Sequence, residues 1–285
     1  MDDERGASRT AVMVAAYRGR ASARERPLCD DPWAAALAGD QGLQFAARYD
    51  EAFPHAETWL ALRTRVLDGQ VRARIADGVR QIVLLGAGLD TRAVRLSHEG
   101  VRFFEVDRPA SQADKLARLA RLAGYDRSAA TYVPCDFEHD DFVDRLVAHR
   151  FDASAPALFV WEGVTYYLSE AAVLETLHRI ASATAPASVV AFDYVRKRFA
   201  HGELRDEGDS AARARVAEMG EPIRYGTDDV LPLLHDAGLR RVRLASFDEL
   251  CLNITGTYDR ARKFRFQQLG LASVAAERLG GEGLP

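Results

Sequence analysis

Residues 81–92, Gln-Ile-Val-Leu-Leu-Gly-Ala-Gly-Leu-Asp-Thr-Arg, decide the fold. Their first five positions form an almost continuous apolar run, which is typical of a strand buried on both faces of a parallel sheet. Glycines follow at positions 86 and 88, and a helix is predicted from residue 90 to residue 96. The stretch therefore predicts a tight strand-to-helix turn at the carboxyl end of a parallel strand, where open α/β sheets bind ligands.

Outward from this unit, short apolar runs and helical segments alternate along the chain. Strands are predicted at 81–85, 101–106, 130–134, 157–161, 188–192, 240–247 and 264–269. Helices are predicted at 57–78, 90–96, 110–123, 140–149, 169–183 and 227–237, with shorter ones before residue 62 and with Thr227 as the cap of the last. This alternation predicts an α/β fold: a doubly wound, mostly parallel, seven-stranded Rossmann-like sheet.

We predict a single domain in which helical segments surround the sheet. Its expected parts are a tail at 1–8, the domain at 9–279 (an N-terminal helical cap at 9–78, a cofactor-binding core at 79–195, a helical insertion forming a lid at 196–226, and completion of the sheet at 227–279), and a tail at 280–285. Both tails are expected to be disordered.

Composition excludes several classes of partner. The net charge of −4 gives no general attraction to nucleic acid or to an anionic membrane, and no run approaches 18 apolar residues. The three cysteines are far apart, which predicts neither a disulfide framework nor a metal site and suits a reducing cytoplasm. We expect a cytoplasmic protein without a metal that acts on a small molecule; an oligomer is possible but not indicated.

The glycine turn favours a ligand without phosphate. A bare Gly-x-Gly is weak evidence, and the third small residue of the dinucleotide fingerprint is missing because position 91 is Thr. Asp90 would repel a pyrophosphate at the start of the following helix, whereas it suits a ligand with an amino group. The alternative is a plain tight turn with Asp90 as the helix cap.

Acidic residues also follow the second and third predicted strands. Asp107 ends the second strand and could accept hydrogen bonds from both hydroxyls of a ribose. Asp136, with Phe137 beside it, follows the third and could bind and cover an adenine ring. Either carboxylate could instead cap a local turn.

Glu162 leaves the fourth predicted strand, where an unpaired carboxylate would be costly. It could hold an ammonium group or lie near a sulfonium, and Tyr166 and Tyr167 could line the reaction centre. Packing is the alternative role for both tyrosines. Among the N-terminal arginines, Arg63 and Arg65 cannot share a helix face, so at most one of them need point inward toward a ligand carboxylate.

Together these motifs resemble the leucine carboxyl methyltransferase family over roughly residues 10–270. The most specific motif is Gly-Ala-Gly-Leu-Asp-Thr-Arg at 86–92. Further similar segments are Asp31-Pro32, Arg63-Thr64-Arg65 with Asp68, Phe104-Glu105-Val106-Asp107-Arg108-Pro109 with Lys115, Cys135-Asp136-Phe137, and Glu162-Gly163-Val164 with Tyr167-Leu168. Phe137 and Trp161 depart from the pattern, and the large Trp161 puts the shape of the pocket in doubt.

The resemblance implies a methyltransferase that binds S-adenosylmethionine. It implies that Arg63 binds the methionine carboxylate, that Asp107 holds the ribose and that Glu162 approaches the ammonium or the sulfonium. The full set expected to bind the cofactor is Arg20, Arg63, Gly86, Ala87, Gly88, Asp90, Asp107, Asp136, Phe137 and Glu162.

The expected reaction is O-methylation of a small molecule, with a carboxylate favoured over a hydroxyl because it is ionised at pH 7 and needs no base. Family members that modify polyketides suggest a secondary metabolite. Glu162, Tyr166 and Tyr167 are the predicted catalytic residues. Tyr17, Phe199 and Tyr225 are the predicted acceptor-binding residues. A nicotinamide-dependent oxidoreductase and a non-catalytic cofactor-binding protein are the alternatives.

Overall fold

A computed structural model describes residues 8–52, 55–202, 213–214, 217, 220–258, 265–276 and 279. Within this part of the chain, seven strands form one sheet in the order β3-β2-β1-β4-β5-β7-β6. The strands are β1 (Gln81–Leu85), β2 (Arg102–Asp107), β3 (Ala130–Pro134), β4 (Leu158–Trp161), β5 (Val189–Val195), β6 (Arg241–Ser246) and β7 (Gln267–Ser273).

Helices precede the sheet and connect its strands. They are α1 (Arg9–Ser22), α2 (Ala34–Ala52), α3 (Ala56–Ala76), α4 (Arg92–Arg95), α5 (Pro109–Leu119), α6 (Phe142–Ala148), α7 (Glu170–Ala183), α8 (Lys197–His201), α9 (Leu231–Asp236) and α10 (Phe247–Thr255). The α2 span is broken by a kink at Gly39.

The central strand β1 is buried along its whole length because helices cover both faces of the sheet. Ile82 and Leu84 point into a core that also contains residues of α1 to α3. Val83 and Leu85 point to the opposite face, into a core shared with α6 and α7. This alternation explains why the strand reads as a continuous apolar run rather than an alternating one.

Strands β1 to β5 are parallel, and β7 pairs antiparallel with both β5 and β6. The chain order reverses between β1 and β4, so a crevice lies beyond their carboxyl ends. The predicted doubly wound, mostly parallel, seven-stranded sheet is confirmed.

Two predicted boundaries were wrong in informative ways. β5 continues past residue 192 to Val195, which places Asp193 inside a buried strand. The helix predicted from Thr227 begins at Leu231. The Thr227 hydroxyl accepts from the Asp229 amide and donates to the Asp229 carbonyl, a local turn that competes with helix initiation.

The predicted tails lie almost entirely outside the described residues, and so does part of the predicted lid. Residues 1–7, 203–212, 277–278 and 280–285 are not described, and neither is residue 264, where the last strand was expected to begin. The lid at 196–226 and the division of the domain into parts stay predictions. Among the helices that are described, none combines the length and the apolar composition that crossing a bilayer requires.

Candidate active site

The glycine turn after β1 is held against the neighbouring strand. The amides of Gly86 and Ala87 both donate to the carbonyl of Val106, at 2.8 and 3.2 Å. Gly86 has a positive φ of 67°, and a Cβ built there would lie 2.4 Å from Cγ2 of Val164. Glycine is therefore required at position 86 both by the backbone angle and by the segment that follows β4.

Helix α1 forms a second wall of this turn. Arg18 donates from Nη2 to the carbonyl of Leu89, at 2.6 Å. At Gly88, which also has a positive φ, an added Cβ would lie 3.2 Å from Cβ of Ala11. No role was predicted for Arg18 among the N-terminal arginines.

Asp107 lies beside the glycine turn, as expected for a ribose-binding acid. Its Oδ2 accepts from the amide of Gly88 at 2.6 Å, and its Oδ1 accepts from the amide of Arg108 at 2.7 Å. Each carboxylate oxygen has a further lone pair with which to accept from a hydroxyl. Burial raises the pKa of Asp107 above its usual value, against the opposing effect of these amides.

Asp136 lies next to the end of β2, because β3 pairs with β2 in parallel. Its Oδ1 accepts from the Glu138 amide at 3.0 Å, and its Oδ2 lies 3.2 Å from Nδ1 of His139. Phe137 packs partly buried against the apolar core on one face of the sheet. The structure thus places both residues at the expected edge but also shows Asp136 in the alternative role of stabilising a local turn.

A continuous chain of ion pairs adjoins the turn through Asp90. It contains four guanidinium groups and five carboxylates, with successive pairs 2.5–3.8 Å apart. Its members are Arg18, Asp31, Arg95, Asp68, Arg92, Asp90, Glu162, Arg63 and Asp193. We refer to these nine residues as the ionic chain. It holds one more negative than positive group, so an additional positive charge suits it.

Glu162 is the central carboxylate of the ionic chain. It accepts from Nε of Arg63 at 2.8 Å and pairs with Nη1 of Arg92 at 2.6 Å. Although burial opposes its charge, Arg92 and Arg63 together lower the pKa of Glu162. Arg63 also donates from Nη1 to Oδ2 of Asp193 at 2.6 Å. The structure therefore brings Arg63 and Glu162 together and adds Asp193, an acid whose only sequence signal was its place in an apolar run.

Arg92 was part of the quoted motif but received no predicted role. It donates to Asp68 from Nε at 2.7 Å and to Asp90 from Nη1 at 2.5 Å. Its backbone amide also donates to Oδ1 of Asp90, at 2.7 Å. Burial opposes the charge of Asp90, but Arg92, Arg18 and Lys115 lower its pKa to about 2. Nη2 of Arg92 is buried and has no hydrogen-bond partner among the described residues.

Lys115 supports the turn from the side of α5. Its Nζ donates to the carbonyl of Asp90 and to Oε2 of Glu105, both at 2.5 Å. Both partner side chains of this ion pair are almost completely buried. Lys115 thus fixes the end of the glycine turn.

The structure places Arg20 away from the ionic chain. Its guanidinium pairs with Asp50 at 2.7 Å and Glu57 at 2.9 Å, and it lies over the ring of Tyr17. These partners belong to α1, α2 and α3, and none lies in the glycine turn. The cofactor role of Arg20 stays a prediction that these contacts do not support.

A pocket beside Arg63 is the candidate site for the acceptor. It contains about 530 Å³ of space outside the protein atoms, counting the part open to solvent. Its aromatic lining consists of Tyr49, Trp59, Tyr166, Tyr167, Phe199 and Phe266. Arg63 is the only charged residue among the described lining residues.

Three predicted acceptor residues divide between this pocket and the core. Phe199 lines the pocket, as expected. Tyr17 is completely buried, and its hydroxyl donates to the Ala46 carbonyl and to Asp50. Tyr225 is buried on the other face of the sheet. For Tyr17 and Tyr225 the structure corrects the prediction, because packing removes both rings from the pocket.

The assembled groups fit S-adenosylmethionine better than a dinucleotide. Gly88 leaves room where a Cβ would stand, Asp107 offers acceptors to hydroxyls, and the ionic chain has one excess negative charge. The buried Nη2 of Arg92 is a donor without a described partner, which a ligand carboxylate could satisfy. The turn itself contains the carboxylate of Asp90, which opposes a pyrophosphate.

Comparison with known proteins also points to S-adenosylmethionine as the cofactor. The model of the leucine carboxyl methyltransferase family matches residues 11–181. The chain is 35% identical over 246 residues to a protein of Mycolicibacterium vanbaalenii, covering 81% of this chain and 77% of that protein. It is 34% identical over 247 residues to one of Mycolicibacterium gilvum, with the same coverage of both chains. Both are provisionally named S-adenosyl-L-methionine-dependent methyltransferases.

Solved structures share the architecture at low sequence identity. A crystal structure of a protein from Thermobifida fusca, provisionally described as a methyltransferase, has a TM-score of 0.64 and 16% identity, covering 94% of this chain and 95% of that one. A DUF574 family protein from Streptomyces avermitilis has the same TM-score with 13% identity, covering 94% and 98%. At such identities the likeness concerns the fold alone.

Proposed function

The chain belongs to the leucine carboxyl methyltransferase family, and from this premise we propose that it transfers a methyl group from S-adenosylmethionine to a carboxylate oxygen of a small molecule. Membership of this family makes the chain a methyltransferase. The choice of oxygen, the carboxylate and a role in secondary metabolism are the proposal. The nicotinamide-dependent alternative gains no support from the relatives.

The cofactor-binding side of the proposal is supported by the groups along the carboxyl ends of the strands. Asp107 would hold the ribose hydroxyls, with Asp136 and Phe137 at the adenine end. Arg63 and Glu162 would face the carboxylate and the ammonium of the methionine part. Their mutual ion pair keeps both charges compensated while no ligand charge is present.

When bound, S-adenosylmethionine supplies a methyl group already activated by its positive sulfur, which keeps the electron pair when the carbon–sulfur bond breaks. The protein then has to align the acceptor and exclude water. Tyr166 and Tyr167 line the pocket beside Arg63 and are partly or wholly buried, so they would shield the acceptor oxygen. Glu162 would contribute by fixing Arg63, to which it is bonded.

The main support for a carboxylate acceptor is that no general base is found among the described residues that line the pocket. Among the described lining residues there is no histidine, aspartate, glutamate or lysine. Burial raises the pKa of Tyr49, Tyr166 and Tyr167, so these phenols stay protonated at neutral pH. An acceptor that arrives ionised needs no proton removed, and a carboxylic acid with a pKa near 4 is ionised throughout the neutral range.

The product of the reaction tests the proposal. The protein would be incubated with S-adenosylmethionine carrying a labelled methyl group and with a panel of acids, phenols and alcohols. A carboxyl methyl ester releases labelled methanol in mild alkali, whereas a phenol ether does not. Labelled product that resists alkali would overturn the carboxylate assignment, and product on none of the panel would favour a non-catalytic role.

We propose a cytoplasmic location on separate grounds. All three cysteines, Cys29, Cys135 and Cys251, are buried and free. Burial raises the pKa of the Cys29 and Cys135 thiols, so neither is a reactive thiolate at neutral pH. Free thiols of this kind support a reducing compartment.

A further inference from the structure

A second cleft lies at the half of the sheet that contains β5, β6 and β7. It contains about 560 Å³ of space outside the protein atoms, counting the part open to solvent. We call it the arginine cleft, and its described lining residues are Arg196, Arg198, Ser246, Asp248 and Arg265. Arg196 directly follows β5 and Ser246 ends β6, so the cleft lies beyond the carboxyl ends of these two strands. It is therefore at the same edge of the sheet as the glycine turn.

The arginine cleft is strongly positive. Its described lining contains three guanidinium groups and one carboxylate, which gives a net charge of +2. Nε of Arg265 pairs with Oδ2 of Asp248 at 2.6 Å, whereas Arg198 is exposed and forms no ion pair with the described residues. The nearby Glu249 accepts from the amide and the hydroxyl of Ser246, at 2.6 and 2.9 Å, so its carboxylate is already engaged. A cleft lined by charge of one sign concentrates ions of the opposite sign, and this one favours an anion.

Tertiary structure brings these arginines together from separate segments of the chain. The amide of Arg196 donates to the carbonyl of Phe266 at 2.8 Å, and Nε2 of Gln268 donates to the carbonyl of Arg265, also at 2.8 Å. These hydrogen bonds fix the backbone beneath two like charges whose mutual repulsion opposes folding. A bound anion would relieve that repulsion.

Two buried polar atoms of the cleft have no hydrogen-bond partner among the described residues. They are Nε of Arg196, which is a donor, and Oδ1 of Asp248, which is an acceptor. Such groups destabilise a fold unless a water or a ligand bonds to them. Both atoms are covered in this structure, but Arg198 and Arg265 are exposed and their long side chains can move. A ligand that satisfies both atoms must bring an acceptor oxygen and a donor.

From these observations we propose that the arginine cleft binds a phosphate group. The phosphate oxygens accept from the guanidinium groups, and a phosphate hydroxyl donates to Asp248. Near pH 6 about half of a phosphate monoester keeps the required proton, whereas sulfate has none. Phe266, to which Arg196 is bonded, also lines the acceptor pocket, so a phosphorylated molecule in the cleft can extend into that pocket. The site does not depend on the proposed function.

Titration followed by phosphorus NMR tests the ligand class. At about pH 6 and constant ionic strength, with S-adenosylhomocysteine present, the protein would be titrated with inorganic phosphate and with phenyl phosphate, and sulfate would be added as competitor. We expect saturable binding, with sulfate at least about threefold weaker than inorganic phosphate although sulfate carries more charge. Absence of saturable binding, or sulfate binding as tightly as phosphate, would overturn the proposal.

The same titrations distinguish the sources of the phosphate group. Tighter binding of phenyl phosphate than of inorganic phosphate would support a phosphorylated molecule as the natural ligand. Equal or weaker binding of phenyl phosphate would support free phosphate.

A pair of arginine variants locates the site. Arg198→Gln removes an exposed arginine of the cleft, and Arg121→Gln removes an exposed arginine that follows α5. The affinity for phosphate should fall at least about fivefold in Arg198→Gln relative to Arg121→Gln, because charge-assisted hydrogen bonds are lost. Equal affinities would place the bound phosphate elsewhere and overturn the assignment.

Asp248→Ala tests the hydrogen bond that selects phosphate. The substitution removes both the acceptor and the negative charge, so sulfate should bind more tightly than it does to the wild type and the preference for phosphate should disappear. The exposed Asp40→Ala serves as control and should keep the preference. A preference that persists in Asp248→Ala would contradict selection by Asp248.

Discussion

Arg63 and Glu162 form an ion pair, with Nε of the arginine 2.8 Å from Oε1 of the glutamate. The resemblance assigns these two side chains to opposite charges of the same methionine group. Their pairing means that ligand binding adds charges to a group that is already compensated, rather than supplying its first counterions.

Glu162→Gln should therefore weaken both folding and cofactor binding. The substitution leaves two buried guanidiniums, of Arg63 and Arg92, with one carboxylate fewer between them. Breaking such a pair costs about 3 kcal/mol or more, so urea unfolding should show a lower free energy and calorimetry a lower affinity for S-adenosylmethionine. The exposed Glu175→Gln serves as control. Matching unfolding curves for the two variants would contradict the central place of Glu162.

Asp107→Ala should weaken S-adenosylmethionine binding by roughly 1–3 kcal/mol, because the hydrogen bonds of the ribose hydroxyls to a charged acceptor are lost. Isothermal titration measures this directly. Asp126→Ala removes an exposed carboxylate that caps a short helical turn elsewhere and should leave the affinity unchanged. An unchanged affinity in Asp107→Ala would remove the ribose assignment.

Gly86→Ala should destabilise the protein more than Gly100→Ala does. Both glycines have positive φ, so each alanine costs about 1–2 kcal/mol for the backbone angle alone. Only at Gly86 does the new Cβ meet a neighbour, Cγ2 of Val164 at 2.4 Å, whereas at Gly100 the space is open. Thermal unfolding of both variants isolates the steric part.

The double variant Gly86→Ala/Val164→Ala completes this comparison. Truncation of Val164 removes the atom in conflict, so the two substitutions should destabilise less than the sum of their separate effects. Strict additivity would mean that the turn moves away from Val164 and that the contact is not the constraint.

Asp90 should make the protein sensitive to acid. Its pKa is lowered from 3.8 to about 2 in the folded state, so protonation is less favourable there than in the unfolded chain. The carboxylate thus stabilises the fold by about 2 kcal/mol above pH 4, and this contribution disappears as the pH falls through 2. The difference in unfolding free energy between wild type and Asp90→Asn should therefore shrink between pH 5 and pH 2. Exposed Asp40→Asn should show no such trend.

The pH dependence of turnover should be flat in the neutral range. With a carboxylate acceptor and protonated tyrosines, no group needs to lose a proton between pH 6 and 9, so kcat/KM should stay constant. Tyr166→Phe and Tyr167→Phe should keep this flat profile even where they lower the rate. A rise with pH that is lost in one of these variants would identify that phenol as a base.

The sheet and the acids at its edge could be predicted because both depend on local pattern. β1 is an almost continuous apolar run, Asp107 ends β2 and Glu162 directly follows β4, and the carboxyl ends of these parallel strands meet at one edge. The glycine at position 86 indicated a backbone with positive φ, which other residues rarely adopt. Each of these features depends on only a few consecutive residues.

The ionic chain could not be predicted in the same way. Arg63 binds Glu162 and Asp193, which are 99 and 130 positions away along the chain. No spacing rule connects such residues, and the inward orientation of an arginine depends on the tertiary packing of α3 against the sheet. The core positions of Tyr17 and Tyr225 escaped prediction for a related reason, since an aromatic residue carries no local mark that separates packing from binding.

Helix α1 contacts both the glycine turn and the candidate acceptor pocket. Arg18 and Ala11 face the glycine turn, while Met13 and Val14 line the acceptor pocket. A substitution that tilts α1 would therefore change both acceptor range and cofactor affinity. The two properties cannot evolve independently through this helix. Phe199 and Ile223 line the same pocket but lie outside α1, so redesign of the acceptor range should begin there.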